Sequence, residues 1–303
     1  MASIYDVPLN YEKDGMGDIL CDVLWLERRP TDLGEWSAFV EKSKNGGQEI
    51  NIAVVGKYFQ SGEYVLSDVY ISVLEALKHA AYVNNVKLTI SYLDSEVFEK
   101  DASKLKELEA YHGVLVPGGF GTRGVEGIVA TIQYARGKKI PYFGLCYGMQ
   151  WLVVEYARHV AGLAGANTAE VDKDAPHVVI DVMQDQVEKL TKADYGGTMR
   201  LGAYACVLGE GSVAAGAYGV QKVTERHRHR YEVSPQYIEL LEKAGLIFSG
   251  RSPSGALMEI AELPKEKHPF FLGTQFHPEF LSRPLSPHPL FVAFIKAASE
   301  RKI

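Results

Sequence analysis

The chain has very little cysteine: three residues in 303, none of them in a C-x-x-C pair. That removes a disulfide framework and the ligand spacing of a structural zinc site. No run approaches the ~18 apolar residues of a membrane span. No N-terminal stretch joins a basic region to an apolar one, as a secretory leader does. The chain therefore reads as soluble and cytoplasmic. Positive charge is not in excess, and the net charge of −6 argues against nucleic acid or a membrane as partner. A phosphate-binding loop is missing, because Gly56-Lys57 and Gly137-Lys138 lack the G-x-x-x-x-G-K-[ST] frame. No segment is suited to hold ATP or a metal. Repeats and low-complexity tracts are lacking as well, and 47% apolar with 23% charged residues is ordinary globular composition.

What is present is concentrated in two stretches. Pro141-Tyr-Phe-Gly-Leu-Cys146-Tyr-Gly-Met-Gln150 is an apolar strand that stops at G-x-C-x-G and turns into the helical pattern 149–160. That is the strand–turn–helix setting of a nucleophile elbow. The helix N-terminus aimed at Cys146 favours its thiolate. Downstream, Gln275-Phe-His277-Pro-Glu279 supplies a base and its orienter. Residues two apart in an extended chain share a face, which predicts His277 beside Glu279 with Phe276, Pro278 and Phe280 pointing away. Cysteine, histidine and carboxylate together are a nucleophilic-catalysis signature. Cys21 and Cys206 lack such a setting and read as inert, buried small hydrophobes.

From residue 50 the pattern alternates. Strands at 50–56, 87–93, 113–117 and 142–146 are separated by helices at 67–83, 102–111 and 124–136. Alternation of this kind predicts a parallel, doubly wound sheet. Ligands bind such sheets at the carboxyl ends of strands, where both Pro117-Gly-Gly-Phe-Gly121 and the Cys146 elbow fall. The glycine loop lets backbone N–H groups approach a ligand, as an oxyanion hole requires, with the Tyr147 N–H as second donor. The segments 178–183, 198–208, 246–249, 256–262 and 270–276 are strand-like without regular helices between them, which predicts an antiparallel or mixed extension. A helix is expected from Ser234-Pro235 to about 243, and a closing one over 289–301. Residues 1–49 carry two short amphipathic helices, 18–24 and 32–44, the second with Thr31 as cap. They read as a linker or docking arm ahead of a domain at 50–303. Glu225-Arg-His-Arg-His-Arg-Tyr231 concentrates positive charge, and any of its arginines could grip a carboxylate.

With these residues in place the chain resembles the class I (triad) glutamine amidotransferases, and within them the C-terminal glutaminase domains of the CTP synthase family. The resemblance is carried by 117–127, 144–150, 156–160, Gly197-Thr-Met-Arg-Leu-Gly202, 226–232 and 276–280, and it extends to Ser3-Ile-Tyr-Asp-Val-Pro8. It implies an α/β fold with a mostly parallel central sheet flanked by helices and an antiparallel extension. It implies Cys146, His277 and Glu279 as catalytic residues, Gly119 and Tyr147 as the oxyanion hole, and Gly119, Tyr147, Gly148, Met149, Gln150, Glu170 and Arg230 as the glutamine site. Ammonia from L-glutamine would serve an ATP- and Mg-dependent synthetase domain that aminates UTP and is not part of this chain. GTP would act as an allosteric activator, with Gly121–Gly124 as its responding loop. Tyr147 stands where this family commonly has Leu, which is expected to alter the pocket wall. Two other readings stay open: a γ-glutamyl-type cysteine hydrolase, and a non-catalytic docking or regulatory subunit.

Overall fold

A computed structural model of the chain describes residues 3–57, 60–61, 64–65, 70–182 and 199–303. The start of the expected 67–83 helix, Met183 and the 197–198 part of the Gly197–Gly202 motif lie outside them. In chain order the strands are β1 (Gln48–Gly56), β2 (Gln60–Ser61), β3 (Tyr64–Val65), β4 (Val86–Asp94), β5 (Gly113–Val116), β6 (Tyr142–Leu145) and β7 (Ala166–Thr168). They continue as β8 (His177–Val182), β9 (Arg200–Leu208), β10 (Lys222–His229), β11 (Tyr231–Val233), β12 (Ile247–Arg251), β13 (Met258–Glu262) and β14 (Phe271–Thr274).

Nine of these form one sheet in the order β10-β9-β12-β13-β14-β6-β5-β1-β4. The block β14-β6-β5-β1-β4 is parallel, and β13, β12, β9 and β10 extend it antiparallel. The expected mostly parallel sheet with an antiparallel extension is what forms. The segment at 177–182 departs from that expectation: β8 pairs with β7 and β11 in a separate three-stranded sheet.

Both faces of the main sheet are covered, which is why its strands read as continuous apolar runs. On β1, Ile50, Ile52 and Val54 pack with the helices Ile71–Val83 and Pro289–Glu300. Ala53 and Val55 face the helices Val125–Gly137 and Tyr147–His159 on the other side. The segment 102–110 is a 3-10 helix instead of the α-helix its pattern suggested, preceded by a short α-helix at Ser95–Lys100.

Within the arm, the residues around Tyr5 and the helix Gly34–Lys44 pack on the body. Tyr5, Phe39 and Val40 form a small cluster with Trp36 and Tyr82, and Tyr5 hydroxyl bonds Glu75. Thr31 does not cap the second expected helix, which spans Gly34–Lys44. Asp32 accepts the Gly34 N–H at 2.9 Å there. The helix Met16–Leu24 leaves Ile19, Leu20, Val23 and Leu24 exposed, and Trp25 beyond it is 94% exposed.

Candidate active site

The elbow is built by close backbone packing. A Cβ on Gly148 would lie 2.3 Å from the Val116 carbonyl oxygen, and one on Gly144 would lie 2.6 Å from the Gly148 carbonyl carbon. Only glycine fits either position, so the turn between them can be tight. Cys146 sits at φ 50°, ψ −96°, a conformation L-residues adopt only under constraint. Its N–H is pinned to the Thr274 carbonyl on β14 at 2.6 Å. Its own carbonyl accepts from Met149 N–H and Gln150 N–H, both at 3.1 Å, starting the helix Tyr147–His159. The thiol is thereby held at the N-terminus of a buried helix.

His277 and Glu279 do meet, but not as an extended pair. β14 ends at Thr274, and Pro278–Phe280 is a turn of 3-10 helix that folds Glu279 back onto the imidazole. His277 Nδ1 donates to Glu279 Oε1 at 2.8 Å, and Cys146 lies close enough to act on the charge of the ring. The expectation that Phe280 points away is corrected. Its ring stacks on His277 with centroids 5.1 Å apart and planes 18° from parallel, because the turn rotates it to the same side. Burial pulls the His277 pKa down. Cys146 and Glu279 on either side outweigh it and hold the ring well above the usual histidine range. The result is a charged imidazole between a sulfur and a carboxylate.

These groups open into a cleft of about 1090 Å³ whose lining includes Gly119, Gln150, Glu170 and Arg230 as well as Cys146, His277 and Glu279. Arg230 has its Nε buried without a hydrogen-bond partner. Glu170 Oε1 accepts the Gly121 N–H at 2.9 Å. A cation and an anion thus face one cavity, as a zwitterionic ligand requires. Of the residues assigned to the glutamine site, Gly148 and the side chains of Tyr147 and Met149 do not line this cleft. Gly148 packs on β5, and the Met149 side chain is buried against Gly273 of β14. Among the described residues no His, Cys, Asp or Glu group is arranged to hold a metal ion. The two other thiols differ from each other. Cys206 is buried and pushed by burial up to about 12, as an inert thiol should be, whereas Cys21 is only half-buried on the arm.

The loop after β5 is tethered by a residue the sequence did not point to. Lys57 Nζ, beneath the loop, donates to Phe120 O (2.9 Å), Gly121 O (2.7 Å) and the Tyr147 hydroxyl (2.8 Å), and lies 4.3 Å from the Tyr147 ring centroid. Burial lowers this amine to about 8. Tyr147 hydroxyl also donates to Gly121 O. The Tyr147 ring therefore underpins the loop and does not wall the cleft, contrary to expectation. The only sequence signal for Lys57 was a lone lysine at the end of an apolar strand.

The basic segment resolves into a strand. β10 alternates Glu225, His227 and His229 inward with Arg226 and Arg228 outward. The inward polar groups are matched by buried partners: His227 Nε2 to Glu259 at 2.8 Å and His288 to Glu225 at 3.1 Å. Arg200 of β9 reaches Glu259 at 2.7 Å and Glu232 at 3.4 Å. Arg230, just past β10, is the arginine of the run whose guanidinium carries an orphan nitrogen at the cleft.

An elbow cysteine, a His–Glu pair on the neighbouring strand end and a glycine loop over both define a triad amidotransferase domain. The family described as Glutamine amidotransferase class-I matches residues 65–297, and the chain belongs to that family. Within it the similarity is to CTP synthases. The chain is 49% identical to the CTP synthase of Methanococcus maripaludis over 99% of its length, and 50% identical to that of Carboxydothermus hydrogenoformans over 98%. It spans about half of those relatives, 55% and 54% of their lengths. Among solved structures it is similar to the glutaminase domain of Trypanosoma brucei CTPS with bound acivicin. That match has 40% identity and a TM-score of 0.76, and covers 84% of this chain and 95% of that one.

Proposed function

We propose that the chain hydrolyses L-glutamine to glutamate and ammonia through a thioester on Cys146, as the glutaminase part of a CTP-synthase-type enzyme. The observation that carries this reading is the charged His277 held between Cys146 and Glu279 at the floor of a cleft that also presents Arg230 and Glu170. The thiolate attacks the side-chain carbonyl carbon of glutamine, and the C–N bond breaks as His277 protonates the departing ammonia. Water then attacks the thioester carbonyl, giving its proton to His277, and glutamate leaves as the thiolate is restored. Gly119 and Tyr147 N–H groups stabilise the oxyanion. Arg230 takes the α-carboxylate and Glu170 the α-amino group, with Gln150 beside them. Gly148 and Met149 serve through the backbone of the helix start.

Ammonia formed here is used by a synthetase domain that aminates UTP with ATP and Mg. GTP stimulates the hydrolysis through the loop Gly121–Gly124, whose Arg123 joins Glu96 and the Lys57 carbonyl. Residues 50–303 form the glutaminase unit. Residues 1–49 are the arm that meets the synthetase side, a reading supported by the exposed apolar residues of Met16–Leu24 and by Trp25. Weak basal activity is expected from the isolated chain. The site is tested by protection: glutamine and acivicin should each slow alkylation of Cys146, and asparagine should not. Absence of protection by glutamine contradicts the substrate assignment.

A further inference from the structure

Cys146 has a hydrogen-bond donor that the His277–Glu279 pair does not supply. Gln275 lies one residue past β14, fully buried, and its Nε2 donates to Cys146 Sγ at 3.7 Å. Its backbone is fixed on both sides of that contact. Gln275 N–H donates to the Glu259 carbonyl on β13 at 2.8 Å, and the preceding Thr274 carbonyl accepts the Cys146 N–H.

The direction of the Gln275 amide follows from acceptor logic. A backbone carbonyl can only accept, so the Tyr231 carbonyl fixes Gln150 with its Nε2 turned toward it, at 3.1 Å. The same Nε2 donates to Gln275 Oε1 at 3.4 Å. With its oxygen so committed, Gln275 must present its own NH2 to the sulfur. One main-chain carbonyl at the cleft wall thus orients two side-chain amides in series.

We infer that Gln275 is a positioning residue that stabilises the Cys146 thiolate and is itself aligned through Gln150 by the wall of the substrate cleft. A donor to an anion favours the charged form, more strongly in a buried site where water does not compete. An apolar side chain of similar size would fill this position without the cost of burying an amide, and packing alone therefore gives no reason for glutamine here. His277 supplies charge to the sulfur from one direction, and Gln275 supplies a neutral dipole from another.

The inference rests on Cys146 being the nucleophile, but it reads out on the sulfur and not on glutamine turnover. The experiment is the rate of Cys146 alkylation by iodoacetamide against pH in the full chain, with Cys146→Ala subtracting Cys21 and Cys206. Gln275→Met should react about ten-fold more slowly at neutral pH, the size of one hydrogen bond to a charged acceptor. Its rate profile should move to higher pH with an unchanged plateau. Gln275→Leu likewise removes the donor without adding a charge, so it should show the same displacement, and it serves should the Met variant fail to fold. Gln150→Met removes the alignment but not the donor and should give a smaller displacement in the same direction. A purely structural role would lower the melting temperature and leave the profile in place. Superimposable profiles for the chain and for whichever Gln275 variant folds overturn the proposal. A displaced profile in a chain that releases no glutamate upholds it and counts only against the glutaminase reading.

Discussion

Replacing Glu279 by Gln removes one charge from the site while keeping its shape. Glu279 is buried, and its Oε1 accepts from His277 Nδ1 at 2.8 Å. Charge centres about 4 Å apart at an effective dielectric of about 20 interact by about 4 kcal/mol. The glutamine oxygen keeps the acceptor for Nδ1–H, so part of that energy survives. A remaining loss of roughly 3 kcal/mol in stabilising the imidazolium corresponds to about a hundred-fold in kcat. The His277 pKa should fall from its raised position, and the basic limb of the activity profile should move to lower pH. Glu279 Oε2 is buried without a partner, so the new NH2 would find no acceptor and the fold should weaken by about 1–3 kcal/mol. The assay is steady-state glutamate release at several pH values, normalised to the folded fraction. A loss smaller than ten-fold with an unmoved basic limb would refute this account of the pair.

Three further outcomes follow from distances already given. Gly148→Ala places a methyl carbon 2.3 Å from the Val116 carbonyl and should destabilise the chain by about 1–3 kcal/mol or more. A thermal melt within a degree of the parent would contradict that packing. Arg200→Met leaves Glu259 and Glu232 with one fewer buried partner and should cost about 3–5 kcal/mol in denaturant titrations; a neutral result would contradict this pairing. Lys57 is lowered from 10.5 to about 8 by burial, so the folded chain binds fewer protons than the unfolded chain between those values. Its contribution to stability should then rise with pH across that window. The chain should gain stability relative to Lys57→Met from pH 8 to 10.5, and a parallel pair of curves would sink the assignment.

The parts of the site that were legible in the sequence are those whose backbone demands are severe. The elbow was readable because two glycines flank Cys146 for a steric reason, and the parallel block because strands covered on both faces must be apolar throughout. β10 was not readable as a strand, since its inward residues Glu225, His227 and His229 are polar and their partners come from distant elements. Local pattern carries no trace of Glu259 or His288. The turn after His277 was hidden for a related reason. Pro278 suits an extended chain and a 3-10 start equally well, and only the tertiary position of Cys146 decides. Lys57 entered the sequence reading only in excluding a phosphate loop, and Gln275 only as the first residue of the His277 stretch, because a buried polar side chain announces itself through partners that fold in from elsewhere.

The most direct measurement is glutamate release from glutamine by the purified chain beside Cys146→Ala, with and without GTP. The account predicts slow release that depends wholly on Cys146. Release that persists in Cys146→Ala would contradict it.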